Sequence, residues 1–152
     1  MAHVFSRPIL QEFHRQIGLF HEFVSKLDES LLWSVLEGWT NSVGAMARHL
    51  VGNVHHFVGK DLLATAYVRE REAEFRALPC DKAVLLRGLE DSQRLIEAAD
   101  GVISEADWGS PRTTADGRSF ASLAQLLAFM SSHASYHLGQ ASVLARLLAK
   151  PT

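Results

Sequence analysis

The chain reads as an all-α protein, a four-helix bundle. Apolar residues recur every three or four positions through four segments, no stretch of any length makes a strand candidate, and Gly, Pro and cap-type residues gather between the segments. A length of 152 residues suits one domain spanning 1–152, large enough to bury a core without disulfides.

The first helix starts near Ser6, a candidate N-cap with Pro8 in the first turn. It carries the stripe Ile9, Phe13, Ile17, Phe20, Val24 and Leu27. Between Asp28 and Asn41 lies a short helical piece, Ser30–Leu36. Gly38-Trp39-Thr40-Asn41-Ser42 then forms a turn that opens the second helix, which runs to about Gly59. From Lys60 to Pro79 the periodicity weakens, and Arg69-Glu70-Arg71-Glu72 reads as a solvated charge run. Asp81 can cap a third helix bearing Leu85, Leu89, Ile96 and Ile103. Asp107 to Gly117 reads as a loop or short hairpin. The fourth helix starts at Ser119 or Ser122, carries Leu123, Leu126, Leu127, Met130, Leu138, Ala141, Leu144 and Leu148, and stops at Pro151.

Composition excludes several classes of function. Apolar residues make up 47%, charged residues 21%, and the formal net charge is −2, so neither disorder nor a nucleic-acid surface is expected. The N-terminal residues lack the layout of a secretion signal and no apolar run approaches a membrane span, which predicts a cytoplasmic protein without membrane contact. The single cysteine, Cys80, reads as a loop or helix-start residue with no partner for a redox or zinc pair.

His133 and His137 stand one helical turn apart, in the same sector as Leu126, Met130 and Leu144, so both imidazoles face the interior and can share one ion. His49 faces inward from the second helix on the side that carries Ser42, Met46, Asn53 and His56, whereas His55 projects toward solvent. Uncompensated polar groups on an interior face cost on the order of 1–3 kcal/mol each, and a shared metal would remove that cost for three histidines. Imidazole suits zinc, nickel or iron. Asn53 and His56, one and two turns beyond His49, and Gln140, two turns beyond His133, are candidate pocket-lining residues. Tyr136 points away from the pair. His14 and His21 border the first stripe, and Trp39 suits a lid over the bundle end. No Glu-x-x-His pair and no His-Glu-x-x-His sequence occurs, which sets aside a ferritin-like dimetal centre and a zinc peptidase.

The stretches Gly38–Ser42, Met46–Asn53 and His133-Ala134-Ser135-Tyr136-His137-Leu138-Gly139-Gln140 resemble the DinB-like superfamily of metal-dependent enzymes. The resemblance implies a bundle of up-down-down-up path. It also implies one divalent metal ion on His49, His133 and His137, usually nickel or zinc, with iron or manganese as further options. Three neutral histidines leave such an ion at least one open position, which is the form of a catalytic site. By the same resemblance the leading expectation is an enzyme on small molecules, a thiol S-transferase using bacillithiol, mycothiol or glutathione, with the metal activating the thiol. The alternatives are a hydrolase using metal-bound hydroxide, disfavoured because no Glu or Asp stands beside the histidines on either helix, and a non-catalytic metal- or ligand-binding stress protein. A homodimer is a further expectation, with Trp33, Trp108, Tyr67 or Phe75 as contact surface.

Overall fold

The computed structural model describes residues 6–76, 78–114 and 117–149, and it is predominantly helical. Its elements are α1 (Ser6–Lys26), α2 (Glu29–Leu32), α3 (Val43–Val54) continued by a π-helical turn (His55–Lys60) into α4 (Asp61–Leu63), α5 (Arg71–Arg76), α6 (Lys82–Asp100) and α7 (Glu105–Trp108). A two-stranded antiparallel hairpin, β1 (Arg112–Thr113) and β2 (Ser119–Phe120), then leads into α8 (Leu123–Leu148).

Apolar stripes account for the four long helices. Phe13, Ile17, Phe20 and Val24 of α1 meet Leu85, Leu89 and Ile96 of α6 and Leu123, Leu127 and Leu144 of α8 in one core, as periodic apolar faces require. Side-chain oxygens set two starts: Ser42 accepts from the Ala45 N–H and Ser122 from the Gln125 N–H. Ser119 therefore lies in β2, not in the helix. Asp81 occupies the position before α6 but makes no capping hydrogen bond, and the helical piece after Asp28 is shorter than expected, Glu29–Leu32. The cap expected of Ser6 and the stop at Pro151 fall outside the described side chains and residues.

Contacts along the helices establish their directions. Arg7 pairs with Asp100, His14 with Glu97 and His21 with Glu90, so α1 and α6 run antiparallel. Val51 packs on Gly88, His55 shares a groove with Asp91, and Gly59 lies against Leu95, so α3 and α6 run parallel. Leu123 at the start of α8 lines one pocket with Asp61 and Leu62 of α4, while His133 and His137 further along α8 meet His49 of α3; α3 and α8 run antiparallel. The path is therefore up-down-down-up. Parallel neighbours need a return of about a helix length, and the 64–81 segment supplies it, crossing the face of α3 and carrying α5.

Two expectations, on His55 and Trp108, are corrected here, and the structure also places His14 and His21. His14 and His21 lie on the edge of α1 that faces α6, where Glu97 and Glu90 hold them at 2.9 and 3.2 Å, away from α3. His55 does not face open solvent. The 64–67 segment folds back beside it, its ring packs on Tyr67 at 5.2 Å, and its Nε2 is buried without a hydrogen-bond partner. Burial holds its pKa below the usual imidazole value. Trp108 belongs to the core, so it offers no dimer surface. Among the described residues no helix is long and apolar enough to cross a membrane.

Candidate metal centre

Three imidazoles from α3 and α8 converge inside the bundle. His133 and His137, one turn apart on α8, bring their Nε2 atoms within 3.2 Å of each other, and the Nε2 of His49 stands 3.0 Å from that of His133. One ring nitrogen from each of the three lies within 4.8 Å of the other two, and this is the one grouping of three or more His, Cys, Asp or Glu of metal-site dimensions among the described residues.

The far side of two rings fixes their tautomers. His49 Nδ1–H donates to Glu74 Oε2 at 2.8 Å and His137 Nδ1–H donates to the Gln140 side-chain oxygen at 2.9 Å, which leaves each Nε2 with a lone pair aimed at the shared centre. Gln140 does not line the pocket as expected. It stands behind His137 and passes a second hydrogen bond from its Nε2 to the Tyr136 hydroxyl, while Tyr136 itself is exposed as its position predicts. Asn53 Nδ2 lies 3.1 Å from His49 Nε2, and Phe129 stacks on His133. Two rings with inward lone pairs, an amide and a carboxylate behind them, and a third imidazole beside them form a donor set that suits a divalent transition metal, so the residues fit such an ion.

Glu74 is the functional residue that sequence reasoning missed. It belongs to α5, is 4% exposed, and accepts from Arg69 Nε at 2.6 Å and from a second Arg69 nitrogen at 2.8 Å as well as from His49. Burial works to raise its pKa, but the bonds from Arg69 and His49 prevail and hold the carboxyl below its usual value. Arg48 pins the segment to α3 by donating to the carbonyls of Ala73 and Leu78. Close approach is possible because position 52 is glycine; a Cβ there would overlap the Glu74 carboxylate. The charge run Arg69–Glu72 is thus only partly a solvated face, since the Arg69 side chain is 12% exposed in its ion pair with Glu74. Phe75, half-buried, packs its ring on that of His49 at 4.8 Å, which removes it from the candidate dimer contacts.

A cavity of about 610 Å³ opens onto His49 and His133, lined also by Asn53, His56, Phe57, Arg69, Arg71, Arg118, Phe129 and Met130. This volume falls in the range of small-molecule sites. His56 does face this space, with its Nδ1 buried and without a hydrogen-bond partner.

A model of the DinB superfamily matches residues 12–141. The chain belongs to the DinB superfamily. Among solved structures, this DinB chain is similar to a mycothiol-dependent maleylpyruvate isomerase, with 19% identity and a TM-score of 0.66. The match covers 88% of this chain and 59% of that one. A histidine-to-alanine variant of that isomerase matches with 23% identity and a TM-score of 0.59, over the same shares of the two chains. The DinB chain spans 59% of the length of that enzyme, and at this identity the likeness establishes the fold. No curated protein matches.

The buried imidazoles of the DinB site give a stability prediction. Burial, helped by the neighbouring imidazoles and nearby arginines, pushes His133 down to about 4; burial and His49 push His137 down to about 4 as well. Free histidine titrates near about 6.5, so between these values the unfolded chain binds more protons than the folded one. Their contribution is complete above pH ~6.5 and is lost as pH falls toward ~4. Melting curves of chelator-treated protein are expected to drop steadily over that window and stay level just above it. A flat profile from neutral pH down to ~5 would contradict the burial described.

Proposed function

We propose that this DinB protein is a metal-dependent enzyme acting on small molecules, a thiol S-transferase with His49, His133 and His137 as the metal ligands. The observation that carries the reading is a three-histidine centre reached through His49 and His133 from a cavity whose lining, among the described residues, offers no Ser, Thr, Cys, Lys or carboxylate side chain. The nucleophile must then arrive with a substrate, and a low-molecular-weight thiol is the class that fits. The fold shared with a mycothiol-dependent isomerase supports the same choice. A bound divalent ion, nickel or zinc first and iron or manganese next, would supply the positive charge that keeps a thiol ionised near neutral pH.

The chain's own residues do the rest. Glu74 and Gln140 hold two imidazoles in the tautomer that turns their lone pairs inward. Phe57, Phe129 and Met130 wall the cavity with apolar surface and limit water at the centre. Asn53 places an amide beside His49 Nε2. Among the described residues the hydrolase alternative lacks a carboxylate base in the lining, because Glu74 is engaged by Arg69 and His49 behind the rings. A stress protein that only stores metal does not need a cavity of this size.

The test is to incubate metal-loaded protein with bacillithiol, mycothiol and glutathione in turn and with monochlorobimane. Thiol-dependent bimane conjugation above the chelator-treated sample is expected for at least one thiol. Equal rates with and without metal for every thiol would remove the transferase reading.

A further inference from the structure

Two arginines that line the cavity, Arg71 and Arg118, each top a stack that ends on a histidine of the centre. On one side the Arg71 guanidinium lies over the Phe75 ring at 5.8 Å, and Phe75 packs on His49 at 4.8 Å. On the other the Arg118 guanidinium lies over the Phe129 ring at 5.0 Å, and Phe129 stacks on His133 at 5.9 Å. Each arginine is exposed yet held over an aromatic face, an arrangement that positions a long side chain at little further cost in conformational freedom. Arg71 makes no ion pair among the described residues. Arg69 stands deeper in the same cavity, and among the described residues no Asp or Glu lines it.

The chain as a whole carries a formal net charge of −2. A concentration of guanidinium groups at one cavity is therefore a local feature, not an overflow of a basic surface. Planar guanidinium groups recognise carboxylate and phosphate oxygens through paired N–H donors, and the apolar walls between the two stacks suit a hydrocarbon body.

We propose that one of the substrates handled at this centre is a small organic oxyanion, with a carboxylate or phosphate held by Arg71 and Arg118 and an apolar body lying between Phe129 and the histidines. This rests on the reading of the cavity as a substrate site, and it adds the charge class of what enters. It requires no covalent step.

Titration calorimetry on the full chain tests it, with phenylacetate, phenyl phosphate and the neutral phenylacetamide as probes, on zinc-loaded and on chelator-treated protein. At least one anion is expected to bind about tenfold or more tighter than the amide, in both metal states and less tightly at high salt. Whether phenylacetate or phenyl phosphate binds better identifies the head group. Arg71→Gln and Arg118→Gln should each weaken anion binding roughly threefold to tenfold and leave amide binding unchanged. Both side chains are exposed, so melting temperatures should match the parent and certify the fold.

Equal affinity for anion and amide, absence of saturation by either anion, or a preference that survives in the double variant would each overturn the assignment. Anion binding confined to the zinc-loaded protein would transfer the role to the metal and also overturn it. Bimane conjugation read in parallel separates the two hypotheses. Turnover with no anion preference removes only the oxyanion site, and anion preference without turnover removes only the transferase.

Discussion

Elemental analysis of purified protein is expected to return about one equivalent of a divalent transition metal, and His49→Ala or His137→Ala is expected to abolish most of it. The geometry argues for a large effect. His49 comes from α3 and His133 and His137 from α8, so removing His49 leaves both remaining donors on one helix, whereas removing His137 leaves one on each. Loss of an outer partner of a ligand histidine alone costs about 10–100-fold in metal affinity, so loss of a ligand should cost more than about a hundredfold. Gln140→Ala provides the graded control. It removes the acceptor behind His137 and should weaken binding within that smaller range. Full metal content in both histidine variants would remove the centre as described, and with it the proposed chemistry.

The second large effect is on stability. Glu74→Ala leaves Arg69 and His49 Nδ1 facing an empty buried site, and breaking a buried pair from one side costs about 3–5 kcal/mol. For a chain of this length that corresponds to a fall in Tm of roughly 6–20 °C. Glu74→Gln keeps an acceptor for His49 and gives up the charge opposite Arg69, so a smaller loss is expected from it. Gly52→Ala should resemble Glu74→Ala in lowering both Tm and metal affinity, because its methyl group would occupy the space of the carboxylate. A Tm unchanged in Glu74→Ala would mean that α5 contributes nothing to holding His49.

Legibility in the sequence differed from one part of the molecule to another. The apolar stripe of α1, with Phe13, Ile17, Phe20 and Val24 all buried, was readable because helical periodicity is a local property. The same holds for the shared face of His133 and His137 and for the turn that ends at Ser42, whereas the sequence allowed α8 to start at Ser119 or Ser122 and the structure places the cap at Ser122. Glu74 was not readable, since an acidic residue just past a charge run looks alike whether it faces solvent or a buried imidazole. The nearest signal was Gly52, a glycine within a helix, where a cost of about 1 kcal/mol implies a compensating close approach.

The amino-acid order by itself determined four helices, their inward faces and three histidines turned toward the interior, because each follows from residue spacing along a regular helix. The tertiary structure alone decided what surrounds those histidines. The 64–81 segment crosses α3 and brings Glu74, Arg69 and Phe75 to His49, and the β1–β2 hairpin places Arg118 over Phe129. These contacts join residues far apart in the chain through irregular connections, whose course depends on packing against helices already in place, and no local periodicity encodes that course.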